Sequence, residues 1–196
     1  MIVLASGSAA RRQLLERAGL DFVVECVPVD EAAVKRGIAA ETTDPAVAAN
    51  ALAELKALRV GPRHPGALVI GADQMLDCQG DWFDKPEDEA AARRQLMALA
   101  GRTHRLTSAV AVVKDGRVLW RHTEAAHLTM RSFSESFLDD YLAACGPAVL
   151  GAVGAYHLEG LGAQLFTAIE GDYFTILGLP LLPLLGFLRD HGEARS

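Results

Sequence analysis

The first fifteen residues constrain the fold of this chain more than any other segment. They begin with an apolar run, continue through a hydroxyl-rich turn, and then open a run of helical periodicity that starts with two arginines. A strand that leads directly into a helix leaves unpaired backbone N–H groups at the turn, where they can bind an anion. The hydroxyls of Ser6 and Ser8 and the guanidiniums of Arg11 and Arg12 are donors suited to phosphate oxygens. The same pattern fits a serine N-cap followed by two solvated arginines, so this segment alone leaves both interpretations open.

The composition narrows the class of protein. The chain is 51% hydrophobic and 22% charged, which is typical of a globular protein that buries a full core. Its net charge of -6 argues against a binder of nucleic-acid polymers, which would carry a basic patch. Three cysteines without a CxxC spacing favour a reducing compartment, so we expect a cytoplasmic protein. We expect neither a signal peptide nor a membrane span, because no basic segment precedes the first apolar run and two prolines interrupt the longest one.

Strands and helices alternate along the chain, which predicts a mixed α/β fold. The expected strands are 2–5, 22–27, 67–70, 105–113, 117–120 and 125–130, and the expected helices are 10–18, 45–58, 87–99, 134–144 and 181–189. Asp115-Gly116 indicates a hairpin. We expect residues 146–162 to form a loop with a short strand, and residues 169–181 to form a buried strand and turn. Without a repeat or linker, the pattern predicts one domain over residues 1–196, with two lobes around a cleft.

Two carboxylates follow predicted strands. Asp73 comes after an apolar run, in a predicted turn that Gly71 makes permissive, and Glu31 ends an acidic turn. Open α/β sheets place functional groups at the carboxyl ends of strands. Asp73 there could bind Mg²⁺ or activate water as a general base. A turn aspartate that accepts hydrogen bonds from its own backbone fits the same pattern.

Two lysines and a glycine-rich segment complete the candidate groups. Lys85 precedes Pro86, which extends and stiffens the backbone that presents it, so its ammonium could bind phosphate oxygens. Lys56 lies in a predicted helix. The glycines of residues 151–162 would allow a close approach to a ligand, and Tyr156 offers a ring for stacking. Each lysine also fits a solvated surface position.

Taken in order, these segments resemble the Maf family of nucleoside triphosphate pyrophosphatases, also described as septum-formation inhibitors. The resemblance extends from residue 2 to about residue 188. The matching elements are Ala5-Ser6-Gly7-Ser8 with Arg11 and Leu14-Leu15, Val29-Asp30-Glu31, Lys56-Ala57, Gly71-Ala72-Asp73, Lys85-Pro86, Gly101-Arg102-Thr103-His104, Gly154-Ala155-Tyr156 and Gly178-Leu179-Pro180-Leu181.

The resemblance implies an elongated, inosine-triphosphatase-like α/β fold with a central mixed sheet, and a homodimer. It implies hydrolysis of the α–β phosphoanhydride of a nucleoside triphosphate to the monophosphate and pyrophosphate, a house-cleaning activity on the nucleotide pool. Asp73 matches the proton acceptor of the family. Ser6, Arg11, Glu31, Lys56 and Lys85 match residues around the phosphates and the metal. Glu31 and Asp73 would hold Mg²⁺ or Mn²⁺, and Lys85 and Lys56 would offset the charge of the transition state.

Three positions resemble a code for the base. The branch of the family that favours thymidine and uridine triphosphates carries Arg, Thr and Gln where this chain has Ala10, Gln74 and Glu159, and the 7-methyl-GTP branch carries Trp, Gln and Glu. This chain matches the second branch at Gln74 and Glu159. A carboxylate accepts both the N1–H and the amine of guanine. Ala10 departs from both branches and supplies no ring, so Tyr156 or Trp82 is the candidate for stacking on the base.

Two other functions remain open at this point. A non-catalytic nucleotide-binding regulator of cell division would need a protein partner, and the septum-related family name suggests that alternative. A phosphatase would release orthophosphate rather than pyrophosphate. The combination of Asp73, Glu31, Lys56 and Lys85 favours turnover, because a protein that only binds nucleotides has no need of an unpaired base.

Overall fold

A computed structural model describes residues 1–195, which form a mixed seven-stranded sheet flanked by helices and confirm the predicted α/β class. The strands are β1 (Ile2–Leu4), β2 (Phe22–Val24), β3 (Leu68–Cys78), β4 (Asp81–Phe83), β5 (Thr103–Lys114), β6 (Arg117–Met130) and β7 (Phe166–Glu170). The helices are α1 (Ala9–Arg17), α2 (Glu31–Ala39), α3 (Pro45–Val60), α4 (Glu89–Leu99), α5 (Glu135–Cys145), α6 (Tyr173–Ile176) and α7 (Leu181–Asp190).

The sheet runs in the order β2-β1-β3-β5-β6-β7, and β4 pairs with β3. β1 is parallel to both β2 and β3, and its last register pair with β3 joins Leu4 to Ile70. β4 is antiparallel to β3, and β7 is antiparallel to β6. The helix α1 connects β1 to β2, and α2 and α3 connect β2 to β3, as parallel strand pairs require. Because β1 ends at Leu4, opposite Ile70, and β3 runs to Cys78, β3 continues well beyond the end of β1.

Side-chain caps set the starts of most helices. In each of six helices the residue before the first turn accepts a hydrogen bond from a backbone N–H of that turn, which satisfies one of its unpaired donors. These capping residues are Ser8, Asp30, Asp44, Asp88, Ser134 and Asp172. The predicted helices agree with α1, α3, α4, α5 and α7 to within about two residues. The helix α2 is missing from the sequence prediction, which is wrong in assigning its first residue to an acidic turn.

Three further predictions of secondary structure are wrong. The two strands expected over 117–120 and 125–130 form the single strand β6. Residues 146–162 contain no strand and form short 3₁₀ turns instead. Residues 169–181 are not a buried strand, since β7 is mostly exposed and α6 follows it. The hairpin between β5 and β6 is confirmed, because Asp115 and Gly116 both have positive φ, at 48° and 76°.

By internal contacts the chain divides into two compact units. The first comprises residues 1–74, 107–125 and 172–195, and the second comprises residues 75–106 and 126–171. The organisation as one domain over 1–196 stays a prediction. Among the described residues, no helix is both long and apolar enough to cross a bilayer.

In the first unit both faces of the sheet are covered. Ile2, Leu4, Ile70 and Ala72 pack with side chains of α1 and α7, and Val3, Ala5 and Val69 pack with side chains of α3. Because side chains alternate along a strand, neighbouring residues of β3 face different layers. Within the first unit, odd-numbered residues of β3, Asp73 among them, therefore face α3, and even-numbered ones up to Gln74 face the layer of α1 and α7.

Candidate active site

The turn between β1 and α1 forms a small depression. Its volume is about 70 Å³, and it is lined by Ser6, Gly7, Ser8, Ala9, Arg12 and Val24. Ser8 Oγ caps α1 by accepting a hydrogen bond from the backbone N–H of Arg11 at 3.4 Å. Ser6 Oγ accepts one from the N–H of Ser8 at 3.3 Å. The helix N-terminus, the two serine hydroxyls and the exposed Arg12 thus meet in one place. Anion binding there stays a prediction.

Arg11 is buried rather than solvated, with 8% of its surface exposed. Its Nε donates to the carbonyl of Gly178 at 2.7 Å. Its Nη1 donates to the carbonyl of Ala72 at 2.8 Å and to Ser6 Oγ at 3.1 Å. The guanidinium therefore ties the β1–α1 turn to the edge of β3 beyond the end of β1, and to the segment between α6 and α7.

None of the three acceptors that bind Arg11 is a carboxylate, so none of them carries a negative charge. Burial lowers the pKa of Arg11, and the nearby charges of Asp73 and Glu31 oppose that shift. A buried cation bound only by neutral oxygens is unusual in proteins. Nη2 takes part in none of the three bonds, and an anion near it would compensate the buried charge.

Glu31, Lys56 and Asp73 form a carboxylate–lysine cluster. Lys56 Nζ lies 2.6 Å from Asp73 Oδ1 and 2.7 Å from Glu31 Oε1. The three residues come from α2, α3 and β3, respectively, so the cluster links two helices to the sheet. Burial opposes ionisation of Glu31, but the hydrogen bond and charge of Lys56 outweigh it and lower the pKa of Glu31. The structure therefore brings together three of the residues that the sequence predicts around phosphates and metal.

Asp73 is the buried member of the cluster, with 4% of its surface exposed. Its Oδ2 atom has no hydrogen-bond partner among residues 1–195. Burial raises the pKa of Asp73, while the charges of Lys56 and Arg11 oppose that rise. A buried carboxylate with a raised pKa and an open oxygen has the properties of a general base or a metal ligand.

The close packing of α3 on β3 depends on Gly71. A Cβ atom at this position would lie 2.0 Å from the carbonyl oxygen of Ala53 and 2.9 Å from the backbone nitrogen of Ala57. Only glycine permits this approach, and the approach brings Lys56 on α3 to Asp73, two residues after Gly71. The sequence prediction that Gly71 opens a turn is wrong, because Gly71 and Asp73 lie within β3.

Gln74 is next to Asp73 but points toward a different layer. Its Nε2 donates to Ser108 Oγ at 3.0 Å and to the carbonyls of Thr175 and Ile176 at 3.1 and 3.0 Å. Sequence reasoning singled out Gln74 but missed Ser108 and Thr175. The available signal for Ser108 was a hydroxyl directly before the apolar run 109–113. Ala10, the other candidate base contact in this unit, is half-buried in the first turn of α1.

The second unit holds the remaining candidates. Lys85 is exposed in the segment between β4 and α4, and Pro86 after it is buried. Glu159 is exposed, and its Oε1 lies 3.9 Å from Nδ1 of His157.

The prediction that Tyr156 stacks on a ligand is wrong. The ring is only 5% exposed, its hydroxyl lies 2.7 Å from His104 Nε2, and it packs edge-on against Phe166. Burial raises the pKa of Tyr156 and lowers that of His104 to about 4. Both rings are thus neutral parts of an aromatic core. Trp82, the alternative ring, is half-buried on β4.

Few side chains in the described residues are placed to bind a metal ion. Within residues 1–195, no cluster of three or more His, Cys, Asp or Glu side chains is arranged to hold a metal ion. Mg²⁺ in proteins often takes one or two carboxylates, with substrate phosphates and waters completing its shell. Asp73, with its open Oδ2, and Glu31 fit that limited role.

Comparisons with known proteins identify the family of this chain. The sequence model of the family described as "Maf-like protein" matches residues 1–191. A nucleoside triphosphate pyrophosphatase of Paramagnetospirillum magneticum is 65% identical over 97% of this chain and 98% of its own. A 7-methyl-GTP pyrophosphatase of Mesorhizobium japonicum is 52% identical over 97% of this chain and 96% of its own.

A solved structure is more distantly similar. The dITP/XTP pyrophosphatase of Mycobacterium abscessus aligns with a TM-score of 0.40 and 18% identity, over 76% of this chain and 98% of its own. That similarity is too weak to add to the argument. The family match along almost the whole chain, together with relatives above half identity, decides the question of family. This chain is a member of the Maf family.

Proposed function

We propose that this protein hydrolyses the α–β phosphoanhydride of a nucleoside triphosphate and releases the monophosphate and pyrophosphate. The relatives described above are named for this class of hydrolysis. The structural observation that carries the proposal is Asp73, a buried carboxylate whose Oδ1 binds Lys56 and whose Oδ2 has no partner among the described residues. A protein that only bound nucleotides would gain nothing from such an atom, because an unsatisfied buried oxygen is destabilising.

The chain supplies the parts of a direct attack by water. Asp73 Oδ2 accepts a proton from a water molecule as its oxygen bonds to the α-phosphorus. The bond from that phosphorus to the bridging oxygen breaks, and pyrophosphate leaves with the electron pair. Lys56, already bound to Asp73 Oδ1, holds the carboxylate in place and offsets negative charge in the transition state. The raised pKa of Asp73 makes it a better proton acceptor than an exposed aspartate.

The phosphates are bound at the N-terminus of α1. The backbone N–H groups of its first turn, the Ser6 and Ser8 hydroxyls and Arg12 line the depression there. Arg11 contributes Nη2 and the positive charge that its neutral partners leave uncompensated. Lys85 offsets charge on the phosphates, as the family resemblance implies.

A divalent cation, Mg²⁺ or Mn²⁺, completes the proposal. Glu31 and Asp73 would hold it, and when bound it would supply positive charge to the phosphate oxygens. Glu31 keeps a lowered pKa, so it is ionised and able to act as a ligand at neutral pH.

For the substrate we propose a guanine-type or modified guanine nucleotide such as 7-methyl-GTP, read by Gln74 and Glu159. One relative carries the 7-methyl-GTP name, and another carries the general name. We further propose a cytoplasmic homodimer, formed by one Maf-like domain over residues 1–196, that removes unwanted nucleotides from the pool.

The test is product analysis with Mg²⁺ or Mn²⁺ on 7-methyl-GTP, GTP, dTTP, UTP and CTP. We expect monophosphate and pyrophosphate from the wild type and from Asp21→Asn, an exposed aspartate on the first unit, and none from Asp73→Asn. Release of orthophosphate would indicate a phosphatase. Nucleotide binding without any turnover would favour the regulator of cell division instead.

A further inference from the structure

The side-chain amide of Gln74 is held in one orientation. Its nitrogen lies 3.0 Å from Ser108 Oγ, 3.1 Å from the carbonyl oxygen of Thr175 and 3.0 Å from that of Ile176. Two of these partners are backbone carbonyls, which only accept hydrogen bonds. Ser108 Oγ spends its hydrogen on the Thr175 carbonyl at 2.8 Å, so it presents lone pairs to Gln74. A flipped amide would place its oxygen against three acceptors, so Nε2 must face inward.

The acceptors themselves are fixed. Ser108 and Thr175 are both fully buried. The backbone N–H of Thr175 donates to Asp172 Oδ2 at 2.8 Å, and its hydroxyl donates to Glu124 Oε2 at 2.8 Å. The first bond caps α6, and the second joins α6 to Glu124 on β6. Thr175, whose carbonyl accepts a hydrogen bond from Gln74, is therefore held by two hydrogen bonds of its own.

The remaining polar atom of Gln74 is its carbonyl oxygen, Oε1. A Cβ atom placed on Gly178 would lie 3.7 Å from Oε1 and 3.4 Å from Arg11 Nη2. Gln74 Oε1 and Arg11 Nη2 thus both lie close to the position that a side chain at residue 178 would occupy. Gln74 also follows Asp73 directly on the part of β3 that extends beyond β1. Gln74 Oε1, an acceptor that takes part in none of the hydrogen bonds above, therefore lies beside the groups assigned to phosphate binding.

We propose that Ser108 and Thr175 are positioning residues that turn Gln74 into an acceptor-only contact for the nucleotide base. The inference rests on the proposed function, because it takes Gln74 as a base contact. This contact selects a base that presents an N–H donor to Gln74 Oε1, where the donor is not already bound by another group. In a guanine-type base, the exocyclic amine carries that donor. Hypoxanthine lacks this amine, and the contact discriminates against it.

The orientation of the amide is tested by Gln74→Glu, without reference to activity. The substitution puts a carboxylate oxygen where Nε2 faces three acceptors. We expect its melting temperature at pH 8 to fall by roughly 5 °C or more relative to Gln13→Glu, an exposed control on α1. Equal melting temperatures for the two variants would overturn the inward orientation.

The consequence for the base is tested with GTP and inosine triphosphate. We expect the ratio of their kcat/KM values to favour GTP in the wild type by on the order of tenfold. Gln74→Ala should reduce this ratio, and Ser108→Ala should reduce it part of the way, chiefly by raising KM for GTP.

Three results would count against the inference, and they separate its steps. An unchanged ratio in Gln74→Ala would overturn the base contact and leave the proposed hydrolysis intact. A ratio that changes in Gln74→Ala but not in Ser108→Ala would overturn the positioning role of Ser108. No pyrophosphate from any nucleotide would contradict the proposed function, and the base contact with it, while the melting temperatures would still report on the orientation of Gln74.

Discussion

Replacing Lys56 by methionine removes the cation that stabilises the buried carboxylate of Asp73. The Lys56 side chain is 16% exposed and that of Asp73 is 6% exposed, so the pair is shielded from solvent. Removing one partner of a buried pair costs about 3–5 kcal/mol. Glu31 is 45% exposed, so the loss of its contact with Lys56 adds little. We expect the free energy of unfolding at neutral pH to fall by about 3 kcal/mol, because Asp73 can relieve part of the cost by protonation.

The pH dependence of this loss has a definite sign. Burial already raises the pKa of Asp73 above the ordinary value of 3.8, and the charge of Lys56 opposes the rise. Without Lys56 the pKa rises further. When the pKa of a group is higher in the folded state than in the unfolded state, the group contributes stability at pH values below its unfolded-state pKa. That contribution is lost as the pH rises through its folded-state pKa. The deficit of Lys56→Met should therefore be smallest near pH 4.5 and grow as the pH rises toward 8.

The assay is thermal and urea unfolding from pH 4.5 to 8. At neutral pH a deficit of about 3 kcal/mol corresponds to a melting temperature lower by about 6–12 °C for a chain of this size. Lys114→Met, at an exposed position at the end of β5, is the control and should change little. The double variant Lys56→Met/Asp73→Asn should recover most of the loss, because it buries no charge at residue 73. A deficit that is the same at every pH, or a double variant no more stable than Lys56→Met, would refute this reasoning.

Three shorter predictions follow from other contacts. Gly71→Ala would place a Cβ atom 2.0 Å from the carbonyl oxygen of Ala53, so it should displace α3, lower the melting temperature and reduce pyrophosphate release in a coupled assay. His104 has a pKa of about 4 because of burial, so the wild type should lose stability as the pH falls from 6.5 toward 4. His104→Gln should abolish up to about 3 kcal/mol of that acid-induced loss, measured by urea unfolding. Chelation of divalent cations should stop pyrophosphate release and leave the far-ultraviolet circular dichroism unchanged, and unfolding on chelation would contradict the assignment of the metal to the substrate phosphates.

Local sequence signals predicted the elements that form the scaffold of the site. The apolar run before Ser6 and the serine N-cap at Ser8 specify β1 and α1, because caps and strand periodicity act over a few residues. The strong helical composition of residues 45–58 predicts α3, which carries Lys56.

The errors arise where a residue's state depends on distant contacts. Gly71 has the local character of a turn residue, but it lies within β3 because α3 packs onto the strand there. Tyr156 has the character of an exposed ring, but His104 and Phe166 bury it. No local pattern contains this information, since the partners lie far away in sequence.

For the site as well, the sequence predicted which residues take part but not the contacts between them. The residue types and their order predicted Asp73, Glu31, Lys56 and Arg11. The direct bonds of Lys56 to both carboxylates, and the burial of Arg11 against neutral oxygens, were beyond the reach of sequence. The roles of Lys85 and Glu159 stay predictions.

The central claim is that water attacks the α-phosphorus with Asp73 as the proton acceptor. The most direct measurement is hydrolysis of GTP or 7-methyl-GTP in ¹⁸O-labelled water, followed by mass spectrometry of both products. The account predicts one labelled oxygen in the nucleoside monophosphate, unlabelled pyrophosphate, and no labelled product from Asp73→Asn. Label in the pyrophosphate, or in released orthophosphate, would contradict it.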